Sequence, residues 1–138
     1  MRTPTKFLPD RFLFTIGGFG RDTLQVEFAG GELYFRAGPD GELPLQERVI
    51  AKPAKNRWRA FWRSIEKAGV WNWDADYLTP GVTDGADWSL EMRLDKRTVI
   101  SSGSNGYAGG DGPNYSRNSS FAKFLCALTR LTGVAELG

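Results

Sequence analysis

Trp88-Ser-Leu-Glu-Met-Arg-Leu-Asp-Lys-Arg-Thr-Val-Ile-Ser-Ser-Gly-Ser-Asn105 is the stretch whose reading decides the fold. Trp88, Leu90, Met92 and Leu94 alternate with Ser89, Glu91 and Arg93, the period of a strand with one apolar and one wet face. Asp95-Lys96-Arg97 turns the chain, and Thr98–Ser102 reads as the return strand. A hairpin that is wet on one side belongs to an antiparallel sheet covered on a single face.

The same alternation recurs upstream. Phe12, Phe14 and Ile16 suggest a first strand, which the glycine-rich run Gly17-Gly-Phe-Gly-Arg-Asp22 interrupts. Leu24, Val26 and Phe28 mark a second strand, and Gly30-Gly31 supplies the positive φ angles of a hairpin turn into Leu33, Tyr34 and Phe35. Between Ala37 and Glu42 the residues are turn formers throughout. The segment Val70–Leu78 alternates less cleanly and is expected to form a strand with a wet face.

Two stretches switch to helical periodicity. Trp58, Phe61, Trp62 and Ile65 recur at i, i+3, i+4 and i+7, with Pro53 suited to the start and Gly69 to the cap. Phe121, Phe124, Leu125, Leu128 and Leu131 form the second stripe, with Ser119 or Ser120 as N-cap and Gly133 at the end. The halves read either as a ββα-ββα pseudo-repeat or as one generic unit used twice. Residues 1–138 are therefore expected to form a single α+β domain. One antiparallel sheet of five to seven strands would carry both amphipathic helices on one face.

Composition narrows the function. The 138 residues contain no histidine and one cysteine, Cys126, which excludes histidine-based triads, histidine metal sites and an internal disulfide. Beside Leu125 and Leu128, Cys126 reads as a small buried apolar residue. No catalytic, cofactor or metal-ligand spacing is present, and two close aspartates, Asp74 and Asp76, are read as exposed strand-edge residues. A net charge of +2 argues against a nucleic-acid binder on bulk electrostatics. With neither a signal-length nor a membrane-length apolar run, a cytoplasmic protein is expected.

Binding is the remaining expectation, and two regions invite it. The run 101–120 is longer than an ordinary connection and rich in hydroxyls, amides and tyrosines. Ser102, Ser104, Asn105, Tyr107, Tyr115, Arg117 and Asn118, joined by Arg21 from the glycine-rich turn, would suit a small polar or phosphorylated, nucleotide-like ligand. The start of the second helix would add a free N-terminus as an anion site. The alternative is a protein-interaction module, such as an inhibitor or immunity-type protein, that uses the basic first helix through Lys55, Arg59 and Arg63. A solvated helix face and a mobile loop are the bland readings of the same residues.

Asp84-Gly85-x-x-Trp88-Ser89-Leu90-Glu91, then Ser102-Gly103-Ser104-Asn105, then a Phe-rich last helix, resembles small uncharacterised bacterial α+β domains. The likeness covers about the second half of the chain and the Trp-rich helix before it. Where that pattern continues Ala-Tyr-Pro, this chain has Gly106-Tyr107-Ala108, and residues 109–120 read as an insertion. The resemblance implies the fold and no particular activity.

Overall fold

A computed structural model describes residues 6–18, 21–39, 46–50, 52–79, 81, 86–110 and 114–137; the side chains of 21, 46, 48–50 and 136 are outside the description. Among the described residues seven strands form one sheet: β1 (Arg11–Gly18), β2 (Arg21–Ala29), β3 (Glu32–Gly38), β4 (Gln46–Ile50), β5 (Asp76–Leu78), β6 (Ala86–Leu94) and β7 (Arg97–Ser104). Their order is β4-β3-β2-β1-β6-β7-β5. Neighbours are antiparallel except β5, which runs parallel to β7. Two helices, α1 (Lys55–Ala68) and α2 (Ser120–Thr132), lie on one face. The expected α+β architecture is thus present, with one parallel edge pair that alternation alone does not reveal.

Packing follows the two periodicities. Phe12, Phe14, Val26, Leu33, Phe35, Leu90 and Met92 point to the covered face and are almost fully buried. Phe12 meets Phe61 of α1 edge to face, and Phe14 meets Phe124 of α2 in the same way. Trp58 and Trp62 stack on α1, and Trp62 stacks in turn on Trp71. Leu24, Phe28 and Trp62 are only partly buried at the margin of this core. At Gly17 the β1–β2 register shifts between Ile16 and Gly18, so the glycine-rich run does contain an irregularity; Phe19 and Gly20 lie outside the described residues.

Several expectations need correction. The segment Val70–Leu78 opens with a short 3₁₀ turn, Val70–Asn72, and only Asp76–Leu78 is extended. Its aromatic residues serve different masters: Trp73 is buried under α2, while Trp71 covers the outer flank beside Arg97. β7 extends to Ser104, so the connection to α2 starts at Asn105 instead of Ser101. Cys126 is exposed, because on α2 it shares the polar side with Lys123 and Arg130 at i, i+3 and i+7. The end of the chain tucks Val134 and Leu137 against the core. The halves also contribute unequally, a four-stranded meander before α1 and, before α2, a hairpin with the short parallel β5 at its edge, which favours a generic unit over a strict repeat.

Candidate functional site

The motif-bearing end of the sheet is a lock of aromatic rings around two glycines. Trp88 is buried and its indole N–H donates to the Gly106 carbonyl at 2.8 Å. Gly103, opposite Trp88 across the β6–β7 ladder, leaves room for that ring. A Cβ at Gly103 would stand 2.6 Å from Trp88 Cε2, far inside van der Waals contact. A Cβ at Gly106 would stand 2.7 Å from the Tyr77 carbonyl oxygen. Asn105 between them is buried, takes a left-handed φ of 55°, and donates its backbone N–H to Ala86. The Trp88 and Ser-Gly-Ser-Asn residues thus have a packing explanation: they close the sheet's end over the core.

Much of the polar inventory between 101 and 120 is occupied by the same closure. Ser101 donates its hydroxyl to the Asp74 carbonyl at 2.6 Å, and Ser102 donates its N–H to Ala75. Ser120 donates to the Ala68 carbonyl and accepts from the Trp73 indole, tying the two helices and the 3₁₀ turn together. Tyr107 packs on Tyr115 and Phe121, with ring centres 4.6 and 4.9 Å away.

The N-terminus of α2 is not the free anion site expected. Phe121 N–H goes to the Ala108 carbonyl, Ala122 N–H to the Ser119 hydroxyl, and Lys123 N–H to the Ser119 carbonyl. Ser119→Ala should therefore cost about 1 kcal/mol, the usual worth of such a cap. Urea unfolding checks this, and an unchanged midpoint would mean that the cap is dispensable.

The expected ligand residues consequently separate. Ser102 lies on the wet face of β7, in a transverse row with Ser89 and Thr15. Asn105 is inside, Tyr107 half-buried, and Ser104 half-buried beside Thr79, whose N–H its carbonyl accepts. Tyr115, Arg117 and Asn118 are exposed together before α2. Arg21 begins β2 opposite Gly18, which pairs with Ala86, so its backbone sits at the same end of the sheet as Asn105. Its side chain is outside the description.

The wet face carries ion pairs in a ladder across the strands. Arg11 reaches Glu91 at 3.1 Å and Glu27 at 4.0 Å, and Arg36 holds Glu27 and Glu47, each at 2.8 Å. Gln25 accepts from Arg36 and donates to Thr15. Exposed pairs of this kind add little stability singly. Their effect here is to neutralise Arg11 and Arg36.

On the two helices no ion pair among the described residues neutralises a cation. α1 bears Lys55, Arg57, Arg59, Arg63 and Lys67; α2 bears Lys123 and Arg130; all seven are exposed. Glu66 is the single acid on either helix. Arg97 of β7 grips it through a contact of 2.5 Å, and that guanidinium holds the Glu66 carboxyl below the usual carboxylate range. Sequence reading found the basic side of α1 but missed Lys123 and Arg130. Their i, i+7 spacing was visible; their place beside α1 depends on the antiparallel packing of the helices.

Among the described residues, no group of histidine, cysteine or carboxylate side chains could hold a metal, and no helix is long and apolar enough to cross a membrane. No protein-family model matches the chain, and no curated protein matches its sequence.

Proposed function

We propose that this chain is a non-enzymatic, cytoplasmic interaction module of the inhibitor or immunity type, which engages an acidic surface of a partner protein through the outer side of α1 and α2. One observation carries the reading: α1 and α2 together bear seven exposed cations and one acid, and that acid is already paired to the sheet. A net charge of only +2 hides this, because the acids are concentrated on the strands and turns. Such a one-signed face steers an oppositely charged partner and raises its association rate. Exposed aromatics for stacking bases are missing from both helices among the described residues, which favours a protein partner over a nucleic acid.

The test is capture of a partner by the wild-type chain and by Arg59→Glu/Arg63→Glu. Recovery should fall at least about ten-fold in the variant, or roughly 1.4 kcal/mol, and should weaken as salt rises. Zero-length cross-links should join Lys55, Lys67 or Lys123 to carboxylates of the partner. Recovery that is equal in both proteins rejects the reading.

A second reading keeps a small anionic or nucleotide-like ligand at the connection before α2. The joint exposure of Tyr115, Arg117 and Asn118 favours it. A nucleotide that raises the Tm of the wild type but not of Arg117→Ala would move the binding site there.

A further inference from the structure

We infer that the seam between α1 and α2 is the seat for a short acidic segment of the partner, held at two points about 15 Å apart. This rests on the partner-binding reading above and adds where the partner sits and what its docking segment is like. The helices run antiparallel: Arg57 near the start of α1 donates to the Arg130 carbonyl near the end of α2, and Ser120 at the start of α2 donates to Ala68 at the end of α1. Two hollows of about 500 and 560 Å³ open along this seam. They share Ser64, Ala127 and Arg130 and so form one trough.

The chemistry of that trough is one-sided. Arg57 lines one end, Lys67 and Lys123 line the other, Arg130 borders both hollows, and no carboxylate among the described residues lines either. Ser64 and Ala127 between them are short, which lets a foreign backbone approach closely. Ten residues separate Arg57 from Lys67, about 15 Å of helix axis at 1.5 Å per residue. Carboxylates about four to five residues apart on an extended segment span that distance; on a helix the separation is about ten residues. The guanidinium end adds forked geometry that can hold a carboxylate in bidentate fashion.

Shape and surface argue for a single polypeptide segment. Neighbouring helix axes are about 8–10 Å apart, so the seam admits one chain and not a duplex. The exposed large apolar side chains among the described residues are Leu78, Ile100 and Tyr115, none of them on a helix, so this layer has nothing to insert into a bilayer.

Cys126 makes the inference testable, because it is the only cysteine, is exposed, and lines the trough. Its alkylation rate reports whether the seam is occupied. The probe is a synthetic helical peptide with two glutamate pairs ten residues apart and alanines between, beside a permuted peptide with all four glutamates central. The spaced peptide should slow Cys126 alkylation at least ten-fold at saturation and bind at least ten-fold tighter than the permuted one. Arg57→Glu/Arg130→Glu and, independently, Lys67→Glu/Lys123→Glu should each abolish that preference, with folding checked by Tm.

Equal binding of the two peptides with Cys126 unprotected would overturn the seam, while partner capture that still depends on Arg59 and Arg63 would leave the broader reading standing. Loss of that dependence as well would reject both. A DNA duplex or anionic phosphatidylserine vesicles that protect Cys126 better than the spaced peptide would overturn the assignment of a protein segment.

Discussion

Gly103→Ala is expected to destabilise the domain by about 3–5 kcal/mol, although it adds a single methyl group. Overpacking a close-packed interior costs about 1–3 kcal/mol, occasionally more. Here the methyl would be driven into the Trp88 indole and the Gly106 carbonyl, the two partners of a buried hydrogen bond. Separating them leaves a buried N–H unsatisfied, at a further cost of about 1–3 kcal/mol. Against a typical total of 5–15 kcal/mol, roughly, the loss would be large. Denaturant unfolding measures it, with Ser102→Ala on the wet side of the same strand as a control that should move stability by no more than about 0.5 kcal/mol. Coupling supplies a sharper check: on a Trp88→Leu background the added methyl has no indole to strike, so the two changes should be strongly non-additive. A Gly103→Ala protein that unfolds at the wild-type midpoint would refute the lock.

That lock shows how far the sequence could be read and where it stopped. Alternation at Trp88, Leu90 and Met92 and helical spacing at Phe121, Phe124 and Leu128 correctly placed these residues on one core. Both signals are local, because a side chain's face follows from its position within its own element. The parallel pairing of β5 with β7 was not legible, since three residues, Asp76–Leu78, are too few for a period to appear. The loop's richness in serine and asparagine pointed to a ligand, yet Ser101, Ser119 and Ser120 satisfy carbonyls, N–H groups and an indole of the chain itself. Composition counts hydrogen-bonding groups; only geometry tells which of them are already engaged.

The basic face illustrates the opposite case. Lys55, Arg59 and Arg63 could be assigned to the outer side of α1 from spacing alone, and they are exposed there. What sequence could not supply is the sum over elements. Acids at Glu27, Glu47 and Glu91 meet their cations on the far side of the sheet, while Lys123 and Arg130 join those of α1. A nearly neutral chain therefore folds into a polarised molecule, and the polarity is a property of the packing.

Phe124→Ala is expected to cost about 3–5 kcal/mol, the range for removing a buried aromatic ring and leaving a cavity. Phe124 is fully buried where α2 crosses the sheet. Its ring meets Phe14 at 5.0 Å and Trp73 at 5.4 Å between centres, both edge to face. Those partners belong to β1 and to the turn after α1, so the ring joins three separate elements and the site has little freedom to collapse. Lys123→Ala, one residue away on the exposed side, should change stability by no more than about 0.5 kcal/mol. The pair separates the two uses of α2. Below its lowered Tm, Phe124→Ala should still bind the spaced acidic peptide, because the seam cations are untouched. Lys123→Ala should bind it more weakly at unchanged Tm. If Phe124→Ala leaves the unfolding midpoint where it was, the apolar stripe of α2 is not what fastens this helix to the sheet.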